Sequence, residues 1–121
     1  PGRGAGGAVS GVAGARRWYW QRLSAMALAV FVLVHLGTMV YAVRGGLSAA
    51  EILGRTQGSW PWGAFYSLFV LTAAVHASLG LATIAEEWLR LEGRAARALA
   101  SAFAVAVAAL GLRAVYAVVA A

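Results

Sequence analysis

The 121-residue sequence has no cysteine, and its ten basic residues are all arginine, so lysine is absent too. Without cysteine the chain makes no disulfide, no thiolate metal site and no iron–sulfur cluster; any such centre must belong to a partner. Charge is scarce. Charged residues make up 12% of the chain, four of them acidic, for a net charge of +6. From Leu23 to Val43 and from Trp60 to Ala85 there is no charge at all, and each run is long enough for the ~20 apolar residues that span a bilayer. With 62% hydrophobic residues and a mean hydropathy of +0.76, a water-soluble domain this small could not cover its apolar surface. The arginines flank the apolar runs, so they report membrane topology rather than nucleic-acid binding.

What is present falls into a simple order. Residues 1–15, PGRGAGGAVSGVAGA, hold six glycines and no large apolar face, which predicts a flexible tail. The tail lacks the continuous apolar core of a signal peptide; because it has no initiating methionine, the natural start is expected upstream. Residues 16–121 read as one membrane domain. Arg16, Arg17 and Arg22, interleaved with Trp18, Tyr19 and Trp20, form an interfacial anchor before the first run. Arg44-Gly45-Gly46 ends it with glycine suited to a C-terminal cap. Ser48-Ala49-Ala50-Glu51 has capping-box spacing and predicts a short helix to Gly54. Trp60-Pro61-Trp62 opens the second membrane helix, which closes at Glu86-Glu87-Trp88. The third run, Ala98 to Ala121, is alanine-rich; Ser101, Ala104, Ala108 and Gly111 recur at a spacing that allows close helix packing, and Arg113 is placed to snorkel. The fold class is therefore an all-α membrane protein with three transmembrane helices, at about 19–43, 62–87 and 98–121. Arg3, Arg16, Arg17, Arg22, Arg90, Arg94 and Arg97 lie on one side, and Arg44 and Arg55 on the other. That asymmetry predicts a multi-pass protein of the inner (cytoplasmic) membrane, N-terminus cytoplasmic and C-terminus outside.

Both histidines, His35 and His76, fall inside apolar runs, where an unsatisfied imidazole is costly. On a helix His76 shares a stripe with Phe69, Thr72, Gly80, Thr83 and Glu87, and His35 shares one with Ser24, Leu28, Phe31 and Met39. At the helical rise His35 lies ~20 Å from Arg22 and His76 ~15 Å from Glu86, which puts His35 about 5 Å farther toward the outside. No carboxylate accompanies either histidine at its depth, so a proton relay is poorly supported. Imidazole suits haem iron as an axial ligand, and Gly80, one turn from His76, leaves room for a flat macrocycle. An interhelical hydrogen bond from each histidine satisfies the same residues, as headgroup anchoring does for Arg22 and the aromatic belt for Trp88.

Two segments carry a resemblance. Gln21-Arg22-Leu23-Ser24-Ala25 opens the first helix with arginine–x–serine, and His76-Ala77-Ser78-Leu79-Gly80 has the form histidine–x–x–x–glycine. In order, spacing and topology over residues 16–121, the chain resembles the membrane-anchor cytochrome b subunits of succinate dehydrogenase and fumarate reductase. Departures accompany the likeness. Alanine (Ala25) replaces the usual glycine of the first motif. Glu87 and Trp88 stand where one family branch has aspartate and tyrosine near the quinone. Ala82 stands where another branch has an arginine, which leaves haem propionates to Arg22, Arg17 or a partner. His35 resembles the first-helix ligand of the two-haem members, in which the first helix serves the haem far from the soluble subunits and the second helix the nearer one.

The resemblance implies an anchor subunit of a succinate:quinone oxidoreductase, passing electrons between an iron–sulfur subunit and membrane quinone, with dicarboxylate chemistry in a flavoprotein subunit. This chain would carry no catalytic residue for the dicarboxylate. His76, His35 and Gly80 would bind haem b, one or two per complex, with the two histidines as iron ligands. Arg22, Ser24, Glu87 and Trp88 would line the quinone site. One histidine per haem cannot complete bis-histidine ligation, so the bundle is expected to be completed by a second membrane anchor chain or a second copy of this one, surrounded by lipid. The alternatives are a cytochrome b of another quinone-linked dehydrogenase and a haem-free structural anchor.

Overall fold

The computed structural model describes residues 3–120, with side chains from residue 14 onward. Among the described residues there are four helices and no strand: α1 (Arg3–Arg44), α2 (Ala49–Thr56), α3 (Trp60–Glu87) and α4 (Gly93–Val119). Of the stretch expected to be a tail, 1–15, residues 1 and 2 lie outside the described residues; from Arg3 to residue 13 only a helical backbone is described. Three helices are long and apolar enough to cross a membrane, at Gly14–Arg44, Trp60–Glu87 and Gly93–Val119.

The helix ends follow local chemistry. Gly46, at φ 64°, takes the left-handed conformation that ends α1, and the Leu47 N–H donates to the Ala42 carbonyl at 3.0 Å, closing the last turn. Ser48 caps α2 by accepting from the Glu51 N–H at 3.2 Å, and its hydroxyl donates to the Glu51 carboxylate. The short helix runs on past Gly54 to Thr56, because Thr56 has a reason to be ordered. Its hydroxyl donates to the Val118 carbonyl at 2.9 Å, and the Gly58 N–H donates to the Val119 carbonyl at 2.7 Å. These bonds satisfy carbonyls at the end of α4 that have no partner within their own helix. α3 opens with Pro61 in its first turn and Ser59 as cap. α4 begins at Gly93, ahead of the apolar run at 98. Arg94-Ala95-Ala96-Arg97 is good helix-forming sequence, so the helix starts in the polar zone and enters the apolar one without a break.

α3 is the central helix, antiparallel to α1 on one side and α4 on the other. The α3–α4 seam is built of small residues: Ala74, Ala82, Ala85, Ala96 and Ala100 are all buried. A Cβ on Gly111 would collide with the Val70 side chain, so the glycine lets Val70 of α3 pack directly onto α4. Ala104, Ala108 and Gly111 lie half-buried along this stripe, but Ser101 is exposed. Ala100 takes its place, one residue and about 100° around the helix. No large side chain among the described residues is fully buried, and Val105 and Leu110 are 69% and 68% exposed. Such a surface suits lipid or further membrane helices rather than water. α1 uses one face against α3, and that face carries the candidate site.

Candidate functional site

The α1–α3 interface is a series of matched pairs, each step along α1 meeting a step back along α3. Nearest the arginine-rich end, the Arg17 guanidinium donates to both Glu86 carboxylate oxygens, at 2.8 and 3.3 Å. One turn on, the Gln21 side-chain amide fills the space that Gly80 leaves, 3.5 Å from where a Cβ would stand. Next, the Ser24 hydroxyl lies 3.1 Å from His76 Nδ1. Phe31 then stacks on Phe69 at 5.7 Å and meets the edge of Phe65 at 5.5 Å. Farthest from the arginine-rich end, His35 Nδ1 lies 3.3 Å from the Tyr66 hydroxyl, with its ring edge-on to Tyr66 and Phe69.

This register corrects the depth difference expected between the histidines. The reference residues Arg22 and Glu86 are not level, since Glu86 pairs with Arg17, more than a turn before Arg22. His76 is level with Ser24, and His35 lies eleven residues farther along α1, roughly 16 Å at the helical rise rather than 5. Phe31 and Phe69, stacked on each other, lie between the two imidazoles.

Ser24 is buried, with 6% of its surface exposed, and has a second partner, the Gln21 carbonyl at 3.1 Å. A hydroxyl has one proton. When it goes to the Gln21 carbonyl, His76 Nδ1–H donates to Ser24 Oγ, and the Nε2 lone pair is left for another partner. This is how an outer-shell group fixes the tautomer of a metal-ligating histidine. Gln21 Oε1 is buried and has no hydrogen-bond partner among the described residues. Also among those residues, no three His, Asp or Glu side chains converge as a self-contained metal site.

The other expected site residues lie apart from this cluster. Arg22 is exposed, its guanidinium 5.0 Å over the Trp18 ring. Glu87 is exposed at the last position of α3, and Trp88, 80% exposed, caps that helix through its N–H to the Ile84 carbonyl. All three are at the same end of the bundle as Arg17, but Ser24 alone of the quinone candidates touches a histidine. Arg17, an expected propionate partner, is engaged by Glu86.

The first-helix serine and the histidine of the second membrane span that meet here are the residues on which the two sequence motifs stand. Residues 7–112 match the family described as succinate dehydrogenase/fumarate reductase transmembrane subunit. The chain belongs to this family. It is thus a multi-pass membrane protein, an all-α anchor associated with the succinate dehydrogenase/fumarate reductase complex. No curated protein and no solved structure matches the chain significantly.

Several contacts of this anchor escape sequence reading. Gln21 stands inside the quoted motif, and its signal was a lone amide on the face of α1 that also carries Ser24. Arg17 and Glu86 are opposite charges at the meeting ends of two antiparallel helices. Tyr66 lies ten residues before His76 on α3, and only the register brings it to His35.

At the opposite end of the bundle, α1, α2 and α3 enclose a groove of about 650 Å³ with His35, Thr38, Tyr41, Arg55 and Tyr66 among its walls. Arg55 donates to the Tyr41 hydroxyl at 3.2 Å, and that phenol oxygen raises the Arg55 pKa above its ordinary value.

Proposed function

We propose that this anchor binds haem b through His76 and His35 and helps to bind a membrane quinone at its arginine-rich end. The observation that carries the proposal is the Ser24–His76 contact. It engages Nδ1 of a membrane-embedded histidine from the neighbouring helix and leaves Nε2 available. The residues present fit the group at the two histidines, each with one ring nitrogen engaged by a hydroxyl; the room expected at Gly80 for the macrocycle is filled by the Gln21 amide, whose Oε1 is partnerless among the described residues. When bound, haem b supplies reversible one-electron transfer.

The chain's own residues do the rest. Ser24 and Tyr66 hold the two imidazoles in fixed orientations. The stacked Phe31 and Phe69 rings keep water from the space between them. Gly80 and Gln21 shape the wall beside His76. At the quinone site Arg22 offers a bidentate cation to a quinone oxygen. Ser24, whose proton goes to the Gln21 carbonyl, has an oxygen that can accept from a quinol hydroxyl, Glu87 places a carboxylate at the site, and the Trp88 indole N–H donates. Arg22, Glu87 and Trp88 are exposed in the isolated chain, which suits a site closed by the soluble subunits. One histidine per haem requires a second membrane chain, or a second copy, to supply the other ligand. The arginine asymmetry puts the N-terminus in the cytoplasm of an inner-membrane protein, where flavoprotein and iron–sulfur subunits would dock.

Purification of the tagged chain from membranes tests this reading. The expected result is co-purification with a flavoprotein and an iron–sulfur protein, a b-type spectrum with pyridine haemochrome, and succinate-dependent quinone reduction. Such a complex without haem would leave the histidines as structural hydrogen-bonding residues and overturn the haem part of the proposal.

A further inference from the structure

The groove between α1, α2 and α3 has an uneven character. Its body is apolar, His35 lies in its wall, and Arg55 of α2 stands at its mouth. Arg55 is bonded to the Tyr41 hydroxyl, with its guanidinium 5.6 Å over the same ring. Among the described residues the only ion pair is Arg17–Glu86; Glu51, one turn before Arg55 on α2, attracts the guanidinium without bonding to it, so its N–H donors have no carboxylate partner. An apolar slot with an imidazole in its wall and, at its mouth, a guanidinium bonded to no carboxylate is complementary to a flat apolar ligand bearing carboxylates.

We propose that Arg55, aimed by Tyr41, is the cation that holds the propionates of the haem at His35. The inference rests on the assignment of His35 as a haem ligand. His35 lies nine residues before the end of α1 at Arg44, roughly 13 Å by the helical rise. The macrocycle would therefore occupy the groove with its apolar edge inward and its carboxylates toward the α2 end. Guanidinium matches a carboxylate with two parallel N–H donors. The Tyr41 phenol oxygen accepts one guanidinium N–H and leaves others free to donate. α2 is anchored for this purpose, since Thr56 and Gly58 tie its end to the last carbonyls of α4.

The test is a redox titration of the intact complex carrying Arg55→Leu, Arg55→Lys or Tyr41→Phe, with haem content measured in parallel. A positive charge beside the propionates favours the reduced, more negative haem. Arg55→Leu should therefore lower the midpoint potential of the component that His35→Ala abolishes, and leave the other component unmoved. Arg55→Lys should keep most of the wild-type potential, and Tyr41→Phe should give a smaller shift of the same sign as Arg55→Leu. Loss of that haem in Arg55→Leu, recovered in Arg55→Lys, supports the proposal equally. An unchanged potential in Arg55→Leu overturns it and leaves Arg55 as a headgroup anchor. The His35→Ala control separates the two levels: if it removes no haem, the ligand assignment itself has failed.

Discussion

Replacing Ser24 by alanine tests the His76 site with little steric disturbance. The change deletes one buried oxygen and leaves the helix backbone alone. Two contacts go with it, the 3.1 Å approach to His76 Nδ1 and the 3.1 Å bond to the Gln21 carbonyl. The second is local to α1 and replaceable within the helix; the first is the interhelical bond. Such bonds in membrane proteins are worth about 0.6 kcal/mol on average and up to ~1.7. Through the bound tautomer, that range corresponds to a loss of haem affinity between about threefold and twentyfold, overlapping the range for outer-shell partners of metal ligands. The imidazole also becomes a weaker donor when its Nδ1–H loses an acceptor, so the haem's midpoint potential should rise. The assay is haem retention by the solubilised complex during competition with a haem acceptor, with a redox titration alongside. Faster haem loss and a raised potential, confined to the component that His76→Ala abolishes, are expected. Unchanged retention and potential would refute the claim that Ser24 positions the ligand.

Further expectations follow from the packing. Gly111→Val forces a side chain against Val70 in the α3–α4 seam; a cost of about 1–3 kcal/mol is expected for such overpacking, read as a lower unfolding temperature of the solubilised complex. Arg17→Leu and Glu86→Leu should each destabilise by less than about 1 kcal/mol, because the pair is partly exposed, and the double variant should be no worse than the worse single one. For topology, a reporter fused after Ala121 should behave as periplasmic, and strong cytoplasmic activity there would contradict the orientation read from the arginines.

Much of the fold was legible because membrane helices are announced by composition and their ends by local chemistry. Ser48, Pro61 and Gly46 mark helix ends by capping or by backbone preference, and the structure uses all three. The interior of the runs was less informative. Large and small apolar residues are acceptable on any face in lipid, so the spacing pointed to Ser101 for the α4 seam where the structure buries Ala100. The site was legible as residue types but not as pairs. Ser24 and His76 were each visible in a motif, but their contact depends on the register of α1 against α3. The same register joins Arg17 to Glu86 and His35 to Tyr66, and it triples the depth difference between the histidines. Arg55 was counted only as a loop charge; it reaches the groove because α2 is bonded to the end of α4, a contact set by unpaired carbonyls rather than by any sequence pattern.

The central claim is that His76 and His35 hold haem at two depths of one membrane anchor. Redox titration of the purified complex, in wild type and in His76→Ala and His35→Ala, tests it most directly. Two b-haem components in wild type are predicted, with His76→Ala losing the one nearer the soluble subunits and His35→Ala losing the other. A single component that His35→Ala leaves untouched would reduce the claim to His76, and haem content unchanged in both variants would contradict it altogether.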